Sequence, residues 1–254
     1  MSLRIVLGGV LLKVSRKLGY GIYKTGYRIY KIRSPNAYTL YVPYDYYTYS
    51  PWFEEWFQKI YSKAKPRTKV TEDRCYIIYR LCEHCLHFDG DFAECGVYKG
   101  GSAFLIADTL VSNSIQDKQV HLFDTFAGMP AIANEDPSGV REGFFGDNSL
   151  ESVKDYLQAF PFVAFYPGII PQTFDAVKDR RFAFVHIDVD LYQTTKDCCH
   201  FFYDRMSKGG IMIFDDYGFW PFSNSEKKAV DEFFKDKPEM PMSLPTGQCI
   251  VIKL

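Results

Sequence analysis

Four carboxylates form the chain's densest concentration of chemical potential. Asp188 and Asp190 close an apolar run in "HIDVDLYQTT", and Asp215 and Asp216 close another in "GGIMIFDDYG". At the tips of two buried strands such acids repel one another and lose hydration, and both effects raise their energy. A positive partner is therefore expected. A hard divalent cation takes carboxylate oxygens, neutralises several acids at once and leaves positions for water or a substrate diol. Asp188 on one strand, with Asp215 and Asp216 on its neighbour, are the expected metal ligands, because adjacent parallel strands end about 5 Å apart. Asp190, farther out on the loop, is the expected general base toward a hydroxyl acidified by the ion. The competing reading makes each acid a helix cap or an ion-pair partner. That suits Asp190, just ahead of a helix starting at 192, but accounts poorly for four acids together.

Two other strand tips carry binding chemistry. In "ECGVYKGGS", Gly96, Gly100 and Gly101 permit a tight turn and close backbone approach, and a helix begins at Ser102 with its anion-friendly end toward the turn. The spacing is not the G-x-G-x-x-G dinucleotide fingerprint. E-x-G-x-x-x-G after a strand instead resembles the S-adenosylmethionine motif. In "HLFDTF", Asp124 ends the next strand, where an acid can accept both hydroxyls of an adenosyl ribose; an acid there also serves NAD. The first turn favours S-adenosylmethionine over a dinucleotide.

These tips require a scaffold of alternating elements. From residue 72 the pattern predicts helix 72–87, strand 91–97, helix 101–112 and strand 119–124. A Gly/Pro/acid-rich loop (125–147) follows, then helix 149–159, strand 162–166, short helix 171–179 and strand 181–188. Helix 192–206, strand 210–215, helix 224–235 and two strands around Thr246-Gly247 complete the chain. Such alternation implies an α/β fold with a parallel sheet between two helical layers and an antiparallel hairpin at its edge. "DNSLESVKDYL" reads as a capping box, with Asn148 as N-cap and Glu151 as its partner. The loop 125–147 is the expected lid, with Gly128, Gly139, Gly143 and Gly146 as hinges and Phe144 and Phe145 as apolar cover.

Composition narrows the remaining choices. With 47% hydrophobic residues in 254 the chain can build a full core, and a net charge of −1 gives no global field toward nucleic acid. Seven cysteines, without a recognisable secretory leader, read as reduced thiols in a cytoplasmic protein. Cys82, His84, Cys85 and His87 lack a second ligand pair at zinc-finger spacing, so partly buried thiols on a helix are expected there. Eight Lys or Arg precede the first acid, Asp45. Within residues 1–35, Lys13, Lys17, Lys24, Arg28 and Lys31 alternate with apolar positions in a basic amphipathic pattern suited to peripheral contact with the inner face of a membrane, or to packing on this chain or a neighbouring subunit. Gly19, Gly21 and Gly26 weaken its helical character. This arm and the Tyr-rich stretch to 66 form one expected region, and residues 67–254 the catalytic domain.

The ordered set "ECGVYKGGSA", "FDTFAGMP", "SLESVKDYL", "PGIIPQTF", "HIDVDLYQTT" and "GGIMIFDDYG", spread over residues 66–254, resembles the macrocin O-methyltransferase (TylF-type) family. Those are metal- and S-adenosylmethionine-dependent enzymes that methylate sugar hydroxyls in natural products. The resemblance implies a Rossmann-like methyltransferase fold with a mostly parallel seven-stranded sheet. It implies that Glu94, Gly96, Val97, Lys99, Gly100 and Ser102 surround the methionine part of the cofactor, and that Asp124, Thr125 and Phe126 hold the ribose. Ser149, Gly168 and Ile169 would lie near the adenine, and Thr68 would line the pocket. The metal triad matches Asp188, Asp215 and Asp216, with Mg²⁺ as the ion, and the base matches Asp190. Tyr98 and Lys99 stand where the family usually has Trp and Arg. The expected activity is O-methylation of a sugar-containing acceptor by a homo-oligomer; the alternative is a non-catalytic membrane-associated or scaffold protein on the same fold. A nicotinamide oxidoreductase is disfavoured, since it would leave the four acids without a role.

Overall fold

The computed structural model describes residues 49–254, together with the backbone of two short strands before them, β1 (Tyr20–Ile22) and β2 (Ile29–Lys31). The chain divides into two compact units, 1–49 and 50–254. In the first, β1 and β2 pair antiparallel with Tyr20 opposite Lys31. These positions are extended rather than helical, and Gly21 within β1 has low helix propensity. The remainder of the basic arm and the Tyr-rich stretch up to 48 lie outside the described residues. Among the described residues no helix is long and apolar enough to cross a membrane.

The second unit begins with a 3-10 turn at Pro51–Phe53, then helix α1 (Glu55–Ala64), a 3-10 turn at Lys65–Arg67 and helix α2 (Glu72–Cys85). Strand β3 (Asp91–Cys95), α3 (Gly101–Ser112), β4 (Val120–Asp124), α4 (Leu150–Tyr156) and β5 (Val163–Pro167) follow. The second half contributes β6 (Phe182–Ile187), α5 (Tyr192–Tyr203), β7 (Met206–Phe214), α6 (Glu226–Phe234), β8 (Met242–Ser243) and β9 (Cys249–Ile252). These strands form one seven-stranded sheet in the order β5-β4-β3-β6-β7-β9-β8. The first five run parallel; β9 is antiparallel to β7, and β8 to β9.

Every residue of β3 and β6 is buried, as expected for central strands covered on both faces. On β7 the pleat divides the side chains. Ile211 and Ile213 join a cluster with Phe57, Ile78 and Leu105 from α1, α2 and α3, whereas Met212 and Phe214 join Phe202 and Phe234 from α5 and α6. Helix α1 thus belongs to this core through Phe57, Tyr61 and Ala64, although it precedes the expected domain start at 67. The chain leaves β3 toward β4 on one side, while β6 lies on the other. That reversal opens a crevice beyond the carboxyl ends of β3 and β6.

Several boundaries differ from expectation. Helix α4 is capped by Ser149, whose Oγ accepts from Ser152 N at 3.2 Å, whereas the Asn148 amide donates to the Tyr98 carbonyl at 2.7 Å. The helix expected at 171–179 is a 3-10 turn over Gln172–Val177. Helix α5 stops at Tyr203, and β7 starts at Met206 instead of 210 because Phe182 N donates to Arg205 O and draws that residue toward the sheet. Cys82 and Cys85 face the core, and burial pushes their thiols up, that of Cys85 to about 12.

Candidate active site

The crevice contains a cavity of about 280 Å³. Its floor is shaped by Gly96, at φ +86°, where a Cβ would lie 1.8 Å from the Asp188 carbonyl oxygen. Only glycine lets the first turn pass so close to the tip of β6. Asp124 fixes that turn: its Oδ2 accepts from Val97 N at 2.6 Å and Tyr98 N at 3.0 Å, and its Oδ1 from Phe126 N at 2.7 Å. The turn thus takes two of the roughly four lone-pair sites of that carboxylate, and the loop following Asp124 takes a third. The opposite wall comes from the 125–147 loop, which closes on itself through Met129 N to Phe144 O (2.8 Å) and Gly143 N to Met129 O (2.9 Å). Phe145 of this loop packs edge-on to Tyr98 with ring centroids 5.4 Å apart.

The four acids meet at the other end of the same cavity. Ladder bonds align them: Asp188 N donates to Cys95 O at 2.8 Å, and Asp215 N to Ile187 O at 3.0 Å. Asp190 sits at φ +62° in a tight turn in which Leu191 N donates to Val189 O at 2.6 Å. A non-glycine residue held there is strained, and such strain concentrates at functional positions. Asp190 is not the cap of α5. Leu191 occupies the N-cap position, and Tyr192 N is satisfied instead by Asp136 Oδ1 of the loop, at 2.8 Å. Ligand atoms of Asp188, Asp190 and Asp216 lie within 4.8 Å of one another, as do those of His186, Asp188 and Asp215.

Electrostatics reflect this crowding. Burial and neighbouring carboxylates push Asp188, Asp190 and Glu226 well above the ordinary carboxylate range, and raise Asp216 as well. Glu226 Oε1 accepts from Asp216 N at 2.8 Å and its Oε2 is buried without a partner. Burial would also raise Asp215, but His186 and Arg74 outweigh it and hold that carboxyl below its usual value. Asp215 accepts from Arg74 Nη1, and its Oδ1 accepts from Gln248 Nε2 at 2.8 Å. His186, fully buried, lies between Glu94 Oε1 at 2.8 Å from its Nδ1 and Asp215 Oδ1 at 3.5 Å from its Nε2.

Burial alone would push the His186 imidazole down; the two flanking carboxylates overcome it and raise the pKa to about 10. Its proton therefore stabilises the fold fully below the ordinary value of 6.5, and this contribution is lost as pH rises through about 10. NMR titration of the ring is expected to find imidazolium at about pH 8, well above the unperturbed range. A ring that loses its proton near the ordinary value would contradict the buried Glu94–His186–Asp215 chain.

Of the residues expected around a cofactor, Thr68, Gly96, Val97, Ser102, Asp124, Thr125, Gly168 and Ile169 line the cavity with all four acids. The others stand behind it. Glu94 is fully buried and turned to His186, Gly100 packs under Val153, and Phe126 is buried in the core. Lys99 pairs with Asp147 at 2.5 Å, and Ser149 caps α4. Arg74, Tyr98, Met129, Asn148 and Phe222 line the cavity without having been expected there. Arg74 carried no local signal, because its acidic partners are 141 and 142 positions away. Asn148 stood in the sequence as a cap, yet its Oδ1 is buried and unpartnered at the cavity.

The strand order, the antiparallel pair at one edge and the glycine turn at the switch point define the Rossmann-like fold of class I S-adenosylmethionine methyltransferases. Residues 80–244 match the model of the Macrocin-O-methyltransferase (TylF) family, and the chain belongs to that family. It is 30% identical over 154 residues to demethyldecarbamoylnovobiocin O-methyltransferase of Streptomyces niveus, covering 57% of this chain and 58% of the relative. It is 29% identical over 153 residues to mycinamicin III 3''-O-methyltransferase of Micromonospora griseorubida, covering 53% and 60%. The chain thus spans somewhat over half the length of the curated relatives it matches. Among solved structures, the O-methyltransferase NovP shares the fold with a TM-score of 0.64 at 20% identity over 96% of both chains. The calicheamicin methyltransferase CalS11 does so with a TM-score of 0.59 at 16% identity, covering 78% of this chain and 93% of that one.

Proposed function

We propose that this chain is an S-adenosylmethionine- and Mg²⁺-dependent O-methyltransferase whose acceptor is a hydroxyl of a sugar, in a glycoside, nucleotide-sugar or glycan. One observation carries the reading: the glycine turn and the four acids line a single cavity, so a methyl donor and an acidified hydroxyl can meet there. The names of the curated relatives, one of them a rhamnosyl-tetracenomycin 4'-O-methyltransferase of Streptomyces olivaceus, support a sugar-bearing acceptor.

The residues suit both groups. Asp188, Asp215 and Asp216 line the cavity and would supply carboxylate oxygens of the kind Mg²⁺ prefers, although the ligand atoms within 4.8 Å of one another group Asp188 with Asp190 and Asp216, and Asp188 with His186 and Asp215, rather than the expected three. Gly96 lets the first turn pass against the tip of β6 at the edge of the cavity, and the orphaned Asn148 Oδ1 is an acceptor suited to an adenine amino group. In this reading Thr68, Gly96, Val97 and Ser102 surround the methionine half, Asp124 and Thr125 the ribose, and Asn148, Gly168 and Ile169 the adenine. Glu94, Lys99, Gly100, Phe126 and Ser149 support that shell from behind.

The ion would lower the pKa of the acceptor hydroxyl, and S-adenosylmethionine would supply an electrophilic methyl. In this reading Asp190 takes the hydroxyl proton; burial and the neighbouring Asp216 and Asp188 raise its carboxyl above the ordinary range. The Gly96–Val97 turn would hold the donor and the acid cluster the acceptor within one cavity, and such alignment would supply much of the rate. Met129 and Phe145 cover the cavity as part of a lid that excludes water. Peripheral membrane contact through residues 1–35 belongs to the same proposal and is supported by their charge pattern.

Labelled methyl transfer to a panel of nucleotide-sugars, glycosides, glycan extracts and sugar-free catechols tests the whole reading. Activity is expected to fall to background with EDTA and to return with excess Mg²⁺. Transfer that persists under chelation would remove the metal, and transfer confined to acceptors without sugars would remove the acceptor class.

A further inference from the structure

Arg74 is the least anticipated member of the site. It lies in the first turn of α2 and its side chain reaches the end of β7, where Nη1 donates to Asp215 Oδ2 and, at 3.2 Å, to Asp216 Oδ1. The same nitrogen is 3.5 Å from the Asp215 carbonyl oxygen, and Nε donates to Thr71 Oγ1 at 3.2 Å. The residue is only 8% exposed, lines the cavity and lies over the Phe219 ring at 5.1 Å. Two of the three acids assigned to the divalent ion therefore already share a cation that belongs to the chain.

A guanidinium and a metal ion compete for the same pair of carboxylates, and at contact distance in a poorly solvated site their charges repel strongly. The Arg74 side chain is long, it borders the cavity, and the face of Phe219 can carry its charge.

We infer that Arg74 is a tethered competitor for the divalent ion, so that coordination by Asp215 and Asp216 requires the guanidinium to leave them. The inference rests on the metal reading above. It has a definite consequence: the chain binds divalent ions more weakly than its acids alone would. A merely structural Arg74 predicts the reverse, because deleting it would leave buried carboxylates unpaired and disorganise the ligands.

Calorimetric titration of the full chain with MnCl₂ separates the two. Arg74→Gln is expected to bind Mn²⁺ at least about tenfold more tightly than the unmodified protein, equivalent to roughly 1.4 kcal/mol. Lys69→Gln serves as the control for simple charge removal, since Lys69 lines the same cavity and forms no ion pair with Asp215 or Asp216 among the described residues. Its Mn²⁺ affinity should change by less than about threefold, as expected for a screened charge. Equal or weaker binding by folded Arg74→Gln overturns the inference, as does equal tightening in Lys69→Gln. If Arg74→Gln fails to fold, crystals of the unmodified protein soaked in MnCl₂ decide. A guanidinium displaced from both carboxylates supports competition, and one still bridging them beside a bound ion refutes it. Absence of Mn²⁺ binding in both the unmodified protein and folded Arg74→Gln would remove the metal reading itself, an outcome distinct from binding at equal affinity.

Discussion

Asp190→Asn is expected to lower methyl transfer by roughly 10²–10⁴-fold, the range for losing a general base, while leaving cofactor and ion binding in place. The substitution keeps the size and planarity of the side chain, and an asparagine amide can still donate to Asp216. What it removes is the capacity to accept a proton at a position where burial and the neighbouring Asp216 and Asp188 have raised the carboxyl well above its usual value. Binding of S-adenosylhomocysteine and Mn²⁺ by calorimetry, set beside turnover, separates the roles. Near-normal turnover places the base elsewhere. A large fall in Mn²⁺ affinity makes Asp190 a ligand, an arrangement compatible with the mutual proximity of Asp188, Asp190 and Asp216.

Gly96→Ala is expected to damage stability and site together. Its Cβ would meet the Asp188 carbonyl oxygen at 1.8 Å and the Asp188 carbonyl carbon at 2.7 Å, so backbone rather than a flexible side chain has to yield. The φ of +86° adds strain for any residue with a Cβ. A loss of about 3 kcal/mol or more follows, roughly 6–12 °C in Tm for a unit of this size. The displaced atoms belong to the two strand tips that face the cavity, so folded Gly96→Ala should also bind S-adenosylhomocysteine more weakly. A thermal melt and a calorimetric titration check both, and an unchanged Tm would show that β3 and β6 do not approach as described.

Much of the sheet was legible because its signals are local. Apolar runs ending in Glu94-Cys95-Gly96, Asp124, Asp188 and Asp215-Asp216 marked strands whose tips converge by the geometry of parallel sheets. Boundaries were less legible where two local signals compete. Asn148 and Ser149 are both good caps; in the fold Ser149 caps α4, whereas Asn148 makes a tertiary hydrogen bond to Tyr98.

By itself, the sequence determined the alternating order of elements, the placement of acids and glycines at strand ends, and the motif set that marks the family; each is a property of residues close together in the chain. The tertiary structure alone decided which side chains face the cavity and which stand behind it. Glu94 turns inward because register sets it opposite His186, and Arg74 reaches Asp215 across 141 positions because α2 packs above the end of β7. Such pairings arise when distant segments share one buried, poorly screened space, where an unpaired charge is costly and must find its opposite.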